Sequence, residues 1–169
     1  MWKFGILMIM TFAIAIGAVA DTNGPDADAQ VLGLEEMCEA NADARSDRHA
    51  YKSLFKRLGK EDKIHDLTRE IVRLHLVNDA IKHLVDARYA DHLAKRVAEF
   101  IISGTGGPSV YEGPSLAHSH ERMQLTNADF MAAGSDVIQA MKNLGHGQNE
   151  IDEMVCILAS LRDQVVLAN

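Results

Sequence analysis

The sequence predicts an all-α fold, and three observations support this prediction. Apolar residues recur every three or four positions in several stretches, which is the spacing of one helix face. No stretch alternates apolar and polar residues in the manner of a half-buried β-strand. Glycine and proline are concentrated between the periodic stretches, where they end helices, and their densest run lies at residues 104–114.

Apolar periodicity places four long helices. They are predicted near residues 61–77, 91–103, 127–143 and 149–166. The first has a stripe of apolar residues at helical intervals: Ile64, Leu67, Ile71 and Leu74. In the second, one face carries residues four and seven positions apart: Leu93, Val97, Phe100 and Ile101. For the third, Thr126 followed by Asp129 predicts an N-cap with an acidic first turn.

The first 20 residues have the features of a secretory signal peptide. Lys3 supplies an early positive charge, Phe4–Val19 is an almost unbroken apolar run, and residues 18–20 are small enough for cleavage. A retained membrane anchor is the alternative, although the run is slightly short for a span. We therefore expect an exported protein, periplasmic or secreted, with no membrane attachment after cleavage.

The remaining chain has the size of one domain. We expect an N-terminal extension at residues 21–50, with a polar linker at 21–30 and an acidic helix at 31–44, and one domain at residues 51–169. The formal charge of −7 leaves no basic surface for nucleic acid or anionic lipid.

The chain contains only two cysteines, Cys38 and Cys156, so neither a zinc cluster nor a c-type haem attachment pair can form. The two cysteines either form one bridge from the extension to the last helix or remain unpaired thiols.

The segment at residues 104–130 carries the most specific pattern. Gly106-Gly107-Pro108 leads to Tyr111, His120 follows nine positions later, and Phe130 ten positions after that. This arrangement resembles the loop and proximal-histidine segment of the group 1 truncated haemoglobins, the protozoan and cyanobacterial type. The likeness covers about residues 51–166. Together with the predicted signal peptide, it makes the chain resemble a divergent, exported member of this family.

The resemblance implies a globin-like two-over-two helical sandwich that holds haem b, iron protoporphyrin IX, without covalent attachment. His120 would be the axial ligand of the iron. Only a neutral imidazole can donate its lone pair to iron, so its other nitrogen needs an acceptor, and a backbone carbonyl of the same loop is expected. His118 is the rival ligand, but a two-residue offset turns it away on a helix. His92 is either a sixth ligand or a solvated surface histidine.

Other pocket positions follow from the same register. Leu116, four residues before the ligand, matches the apolar position that packs on the porphyrin face. Phe100 and Phe130 match aromatic positions that line the pocket, although ordinary core packing explains each equally well. Ile101 and Tyr111 complete the residues expected around the haem.

On the distal side the sequence departs from the family pattern. The family's distal tyrosine position holds Val72 and its neighbouring phenylalanine position Ile71; the polar helix positions hold Leu93, Arg96 and Val97; the corner phenylalanine falls near Leu84 or Val85. A donor hydrogen bond in a dry pocket contributes about 1–2 kcal/mol, which changes oxygen affinity about tenfold. Only Arg96 could supply one, unless it pairs with a haem propionate instead. We therefore expect weak or short-lived O2 binding, with CO and NO disfavoured less.

Two functions are consistent with these features. The first is a b-type haem globin that binds O2, NO or CO, or exchanges electrons with a redox partner outside the cytoplasm, as a monomer or weak homo-oligomer. The alternative is a globin-like helical module without haem that acts as an extracytoplasmic binding or structural domain. Haem-dependent NO dioxygenation is less favoured because we expect weak O2 binding. Peroxidase-like activity is less favoured because only Arg96 or His92 could move a proton at the distal side.

Overall fold

The computed structural model describes residues 25–167, and this part of the chain contains α-helices and short 3-10 turns but no strand. The helices are α1 (Pro25–Ala40), α2 (Ala42–Tyr51), α3 (Leu54–Arg57), α4 (Lys60–His75), α5 (Ala90–Gly104), α6 (Leu116–His120), α7 (Asn127–Asn143) and α8 (Gln148–Ser160). The 3-10 turns are Lys82–Leu84, Ala87–Tyr89 and Arg162–Gln164. The all-α prediction is confirmed, whereas the predicted signal peptide at 1–20 lies outside the described residues.

Helices α4, α5, α7 and α8 form most of the core, to which Leu54, Phe55 and Leu58 in and after α3 also contribute. Helix α4 packs against α5 and α7, and α7 packs against α8, so two helix pairs lie over one another. The apolar stripe predicted for α4 faces inward: Ile64, Leu67 and Ile71 are buried, and Leu74 packs against the same cluster. None of the helices within 25–167 combines the length and apolar character needed to cross a membrane.

The start of α7 is held by a capping box. The Thr126 hydroxyl accepts a hydrogen bond from the Asp129 backbone N–H, and the Asp129 carboxylate accepts one from the Thr126 N–H at 2.9 Å. Both groups would otherwise leave unpaired donors at the helix start. The N-cap predicted from the sequence is confirmed.

The linker predicted at residues 21–30 is wrong for residues 25–30, because α1 already begins at Pro25. Proline is well tolerated at the first helical position, where its missing N–H would have no helical partner. Ala27 is buried in this first turn, on a helix that packs against α7 and α8. The single helix predicted at 31–44 is in fact two, separated at Asn41.

The predicted last helix is also too long. Helix α8 ends at Ser160, and the chain tightens into the 3-10 turn Arg162–Gln164. In this turn the Arg162 Nε donates to the Asn127 Oδ1 at 2.7 Å, so the change of direction joins the C-terminal segment to the start of α7.

A disulfide joins α1 to α8. Cys38 and Cys156 are bonded, with their Cα atoms 5.4 Å apart, although 118 positions separate them along the chain. Of the two alternatives open from the sequence, the structure contains the bridge.

Candidate functional site

A tight turn after α5 starts the loop that leads to His120. Gly106 has φ +87°, a conformation that residues with a side chain rarely adopt. The backbone N–H of Gly107 donates to the Ile102 carbonyl at 3.0 Å. A Cβ on Gly107 would lie 2.7 Å from that oxygen and from the Phe55 ring, so a side chain does not fit there.

Ser103 fixes the loop to the end of α5. Its Oγ accepts hydrogen bonds from the backbone N–H groups of Val110 at 3.0 Å and Tyr111 at 3.1 Å. Ser103 is not among the residues predicted from the sequence. The available signal was a hydroxyl side chain in the last turn of a helix, directly before a glycine-rich loop.

Tyr111 is held at both ends of its side chain. Its ring meets Phe100 edge to face, with centroids 5.3 Å apart and an interplanar angle of 82°. Its hydroxyl donates to the Pro114 carbonyl at 2.9 Å. The loop is therefore anchored to α5 just before α6 begins.

His120 lies at the end of the short helix α6. The Ser115 hydroxyl accepts from the His118 N–H at 3.3 Å and caps the helix. The Nδ1 atom of His120 lies 2.8 Å from the Leu116 carbonyl oxygen. Because a carbonyl can only accept, Nδ1 carries the proton and the lone pair of Nε2 is available for a metal. The expected backbone acceptor is thus present. His118 is exposed and lies 3.5 Å from Glu121.

The candidate residues lie on four helices and in the loop before α6, and they differ in exposure. Val72 on α4 and Ile101 on α5 are buried. Those that are half-buried are Leu93, Arg96, Val97 and Phe100 on α5, Tyr111 in the loop, Leu116 and His120 on α6, and Phe130 on α7. The structure thus leaves several large apolar side chains partly uncovered, although they belong to helices that pack together.

The distal candidates are almost entirely apolar. Val72 and Ile71 are buried hydrophobic residues, and Leu93 offers no hydrogen-bond donor. Arg96 is 42% exposed and its Nη1 lies 2.9 Å from the Glu99 carboxylate on the same helix. It is therefore engaged by its own helix rather than by the core. His92 is exposed, as expected for a solvated surface histidine.

These side chains fit a haem better than a metal ion bound directly by the protein. Residues 25–167 contain no group of three or more His, Cys, Asp or Glu side chains arranged to hold a metal ion. A porphyrin brings four nitrogen ligands of its own and needs one axial imidazole and apolar walls. His120 supplies such an imidazole. On α7, one turn beyond Phe130, a Cβ added to Gly134 would meet no atom within 4 Å, so open space adjoins this helix.

A separate cleft of about 590 Å³ lies between α4 and α5. Its lining is mostly charged or polar: Asp62, His65, Asp66, Thr68, Arg69, Asp91, Ala94 and Lys95. None of these is a candidate haem residue, and a haem face requires apolar walls. This cleft therefore does not mark the haem site.

Two buried carboxylates, which the sequence analysis did not identify, join the helices around the site. Glu153 on α8 is paired with Arg57 and lies 3.4 Å from His49. Asp136 on α7 lies 2.8 Å from the His75 Nδ1 and accepts from Asn78 at 3.0 Å. These contacts attach α2 and α3 to α8, and the end of α4 to α7.

The comparisons with known proteins agree with this architecture. A group 1 truncated haemoglobin from Tetrahymena thermophila is 27% identical over 110 residues, which cover 65% of this chain and 91% of the relative. The Fe(III) truncated haemoglobin structure from Tetrahymena pyriformis superposes with a TM-score of 0.65 at 23% identity, covering 68% of this chain and 98% of that one.

A second solved structure is the 2/2 haemoglobin from Synechococcus sp. PCC 7002, in the cyanomet state with covalently attached haem. It gives a TM-score of 0.61 at 22% identity and covers 69% of this chain and 99% of the other. These likenesses confirm the predicted two-over-two fold. The sequence model of the bacterial-like globin family matches residues 53–167, most of the chain, and the protein therefore belongs to that family.

Proposed function

We propose that this protein is a haem-binding globin whose iron is held by His120 and binds diatomic gases. The observation that carries this proposal is the 2.8 Å contact between His120 Nδ1 and the Leu116 carbonyl, which keeps the Nε2 lone pair free. Membership of the globin family supports the same conclusion.

Haem b is the proposed cofactor, held without a covalent bond to cysteine, because both cysteines are used in the disulfide. Leu116 and Phe130 would pack on the porphyrin, and Arg96 could exchange Glu99 for a propionate at the edge of the pocket. When bound, haem supplies a ferrous iron that takes up O2, NO or CO. The chain's own contribution is to orient His120, through the loop anchored by Ser103 and Tyr111.

The apolar distal residues imply a particular ligand preference. Dioxygen is a ligand that would gain from a hydrogen-bond donor, and Val72, Leu93 and Val97 would offer it none. O2 would therefore be held only briefly. CO and NO gain less from a hydrogen-bond donor, so the absence of one would weaken their binding less. Efficient NO dioxygenation is not expected from such a pocket, and single-electron exchange with a redox partner is compatible with it.

We place the protein outside the cytoplasm. The Cys38–Cys156 bridge is typical of an oxidising compartment, and the pattern at residues 1–20 is typical of an export signal. Expression of the full chain followed by N-terminal sequencing of the exported product tests this. Recovery of uncleaved protein from the cytoplasm alone would contradict it.

Haem binding is tested by optical spectroscopy of the purified chain from residue 21, reconstituted with haemin. We expect an intense Soret band in the original protein and in His118→Ala, and its loss in His120→Ala. His118 is the matched control because it lies two residues away on the same short helix. A correctly folded, helical protein that remains colourless with excess haemin would refute the proposal and favour the haem-free module.

A further inference from the structure

We propose that the Cys38–Cys156 bridge is a thiol–disulfide exchange site, open to a dithiol in the folded protein, and that its reduction releases α1 from the globin core. The bridge joins α1, which precedes the segment shared with the globin family, to α8, which belongs to it. This proposal goes beyond gas binding and does not depend on haem.

A cleft leads to the bridge. Its volume is about 300 Å³, about ten times the volume that one water molecule occupies in the liquid. It is lined by Glu35, Cys38, Arg45, Cys156, Ala159, Ser160 and Asp163. Cys38 and Cys156 are only 8% and 5% exposed, and both line this cleft.

The charges around the cleft favour attack on one of the two sulfurs. The Arg45 guanidinium donates to the Cys38 carbonyl and lines the same cleft. Because the guanidinium is held at the Cys38 backbone and a nearby cation stabilises a thiolate, we take Cys38 as the leaving group and Cys156 as the sulfur that is attacked. The carboxylates of Glu35 and Asp163 disfavour anionic thiols such as glutathione.

The exchange balances without any further reactant. One thiolate of the dithiol attacks the Cys156 Sγ, the S–S bond breaks, and Cys38 leaves as a thiolate that takes up a proton. The second thiol of the reagent then displaces Cys156, which leaves as a thiol. The reagent is oxidised to its disulfide, and the protein gains two electrons and two protons.

Besides the bridge, α1 packs against α7 and α8. In α1, Ala27 and Val31 are buried, and the Asn127 amide donates to Asp28 at 2.5 Å. Helix α2 contains no buried residue. The bridge is the covalent link between α1 and α8, and without it α1 would be held by its limited buried apolar surface.

The first test measures thiol release by dithiothreitol in increasing urea, below the unfolding transition. Reduction through the cleft predicts a rate that is nearly independent of urea. A rate that rises steeply and in parallel with unfolding would overturn the proposal, since reduction would then require the unfolded chain. Arg45→Gln should slow reduction about threefold, whereas Arg69→Gln, on α4 and outside the cleft, should not. Equal reduction rates in the two variants would show that Arg45 does not assist the exchange.

Hydrogen exchange tests the release of α1. In the reduced protein, and in Cys38→Ser/Cys156→Ser, the amides of α1 should lose protection while those of α4 keep it. Unchanged protection of α1 would refute release. Loss of protection in α4 as well would also refute it, because the bridge would then only stabilise the whole fold. Both readouts work on protein without haem, so they remain valid if the proposed cofactor is wrong.

Discussion

The Nδ1 atom of His120 lies 2.8 Å from the carbonyl oxygen of Leu116, one helical turn earlier. A main-chain acceptor sets the orientation of the imidazole through the backbone of α6. Side-chain substitutions around the ring would therefore change the pocket more than they change the direction of Nε2.

This relationship predicts that an external ligand can replace the side chain. In haemin-loaded His120→Gly, the Soret band should be weak and should recover when imidazole is added, since the space left by the side chain admits that molecule. Visible spectra during an imidazole titration measure the effect. His118→Gly is the control and should need no imidazole; a failure of recovery in His120→Gly would argue against this histidine as the ligand.

A second prediction concerns the distal side. Val72→Tyr should slow O2 dissociation about tenfold, because the phenol would supply a hydrogen-bond donor that Val72 does not have. Val72→Phe is the matched control, since it adds a similar ring without a hydroxyl to this buried position on α4. Stopped-flow measurement of O2 release separates the two. Equal rates in both variants would place residue 72 away from the bound ligand.

The buried Glu153 should be important for stability. Burial alone would lower the pKa of Arg57, but hydrogen bonds with Glu150 and Glu153 outweigh that effect and raise it. Glu153→Gln should lower the free energy of unfolding by about 3 kcal/mol, because it leaves Arg57 poorly compensated. The carboxylate of Glu150 is more exposed, so Glu150→Gln should lower the free energy of unfolding by less than about 1 kcal/mol. Urea unfolding provides both values, and the reverse order would contradict this account.

Glu70 makes a pH-dependent contribution. Hydrogen bonds from Arg73 and Asn143 lower its pKa to about 2. A carboxylate with a depressed pKa stabilises the fold above its unfolded value of about 4.3, and this contribution is lost as the pH falls towards 2. At neutral pH the free energy of unfolding of the original protein should exceed that of Glu70→Gln by about 1 kcal/mol, a small value because Arg73 is exposed to solvent. Unfolding at several pH values should show this difference shrinking between pH 5 and pH 2; a constant difference would refute the assignment.

Local patterns predicted the helices well. The stripe Ile64, Leu67, Ile71 set the inward face of α4, and Thr126 with Asp129 set the start of α7. The start of α1 was not predicted because Pro25 and the polar residues after it are typical of a linker. The burial of Ala27 follows from the packing of α1 against α7 and α8, which the local sequence does not reveal.

Long-range pairings were the part that the sequence could not provide. Asp136 and His75 are 61 positions apart, and Arg57 and Glu153 are 96 apart, so no local spacing identifies them as partners. The two cysteines were visible, but their bonding depends on a Cα–Cα distance that only the fold sets. For the site, the intervals between Tyr111, His120 and Phe130 identified the loop, whereas the role of Ser103 depends on where that loop returns.

The Cys38–Cys156 bond closes most of the polypeptide into a covalent ring. A protease that cuts the exposed stretch Pro108–Val110 would open this ring without dividing the molecule, since each half retains one end of the crosslink. On a denaturing gel, nicked protein would migrate as a single band until a reducing agent is added. While the disulfide is intact, the two fragments would stay joined and could refold together into the same helical assembly.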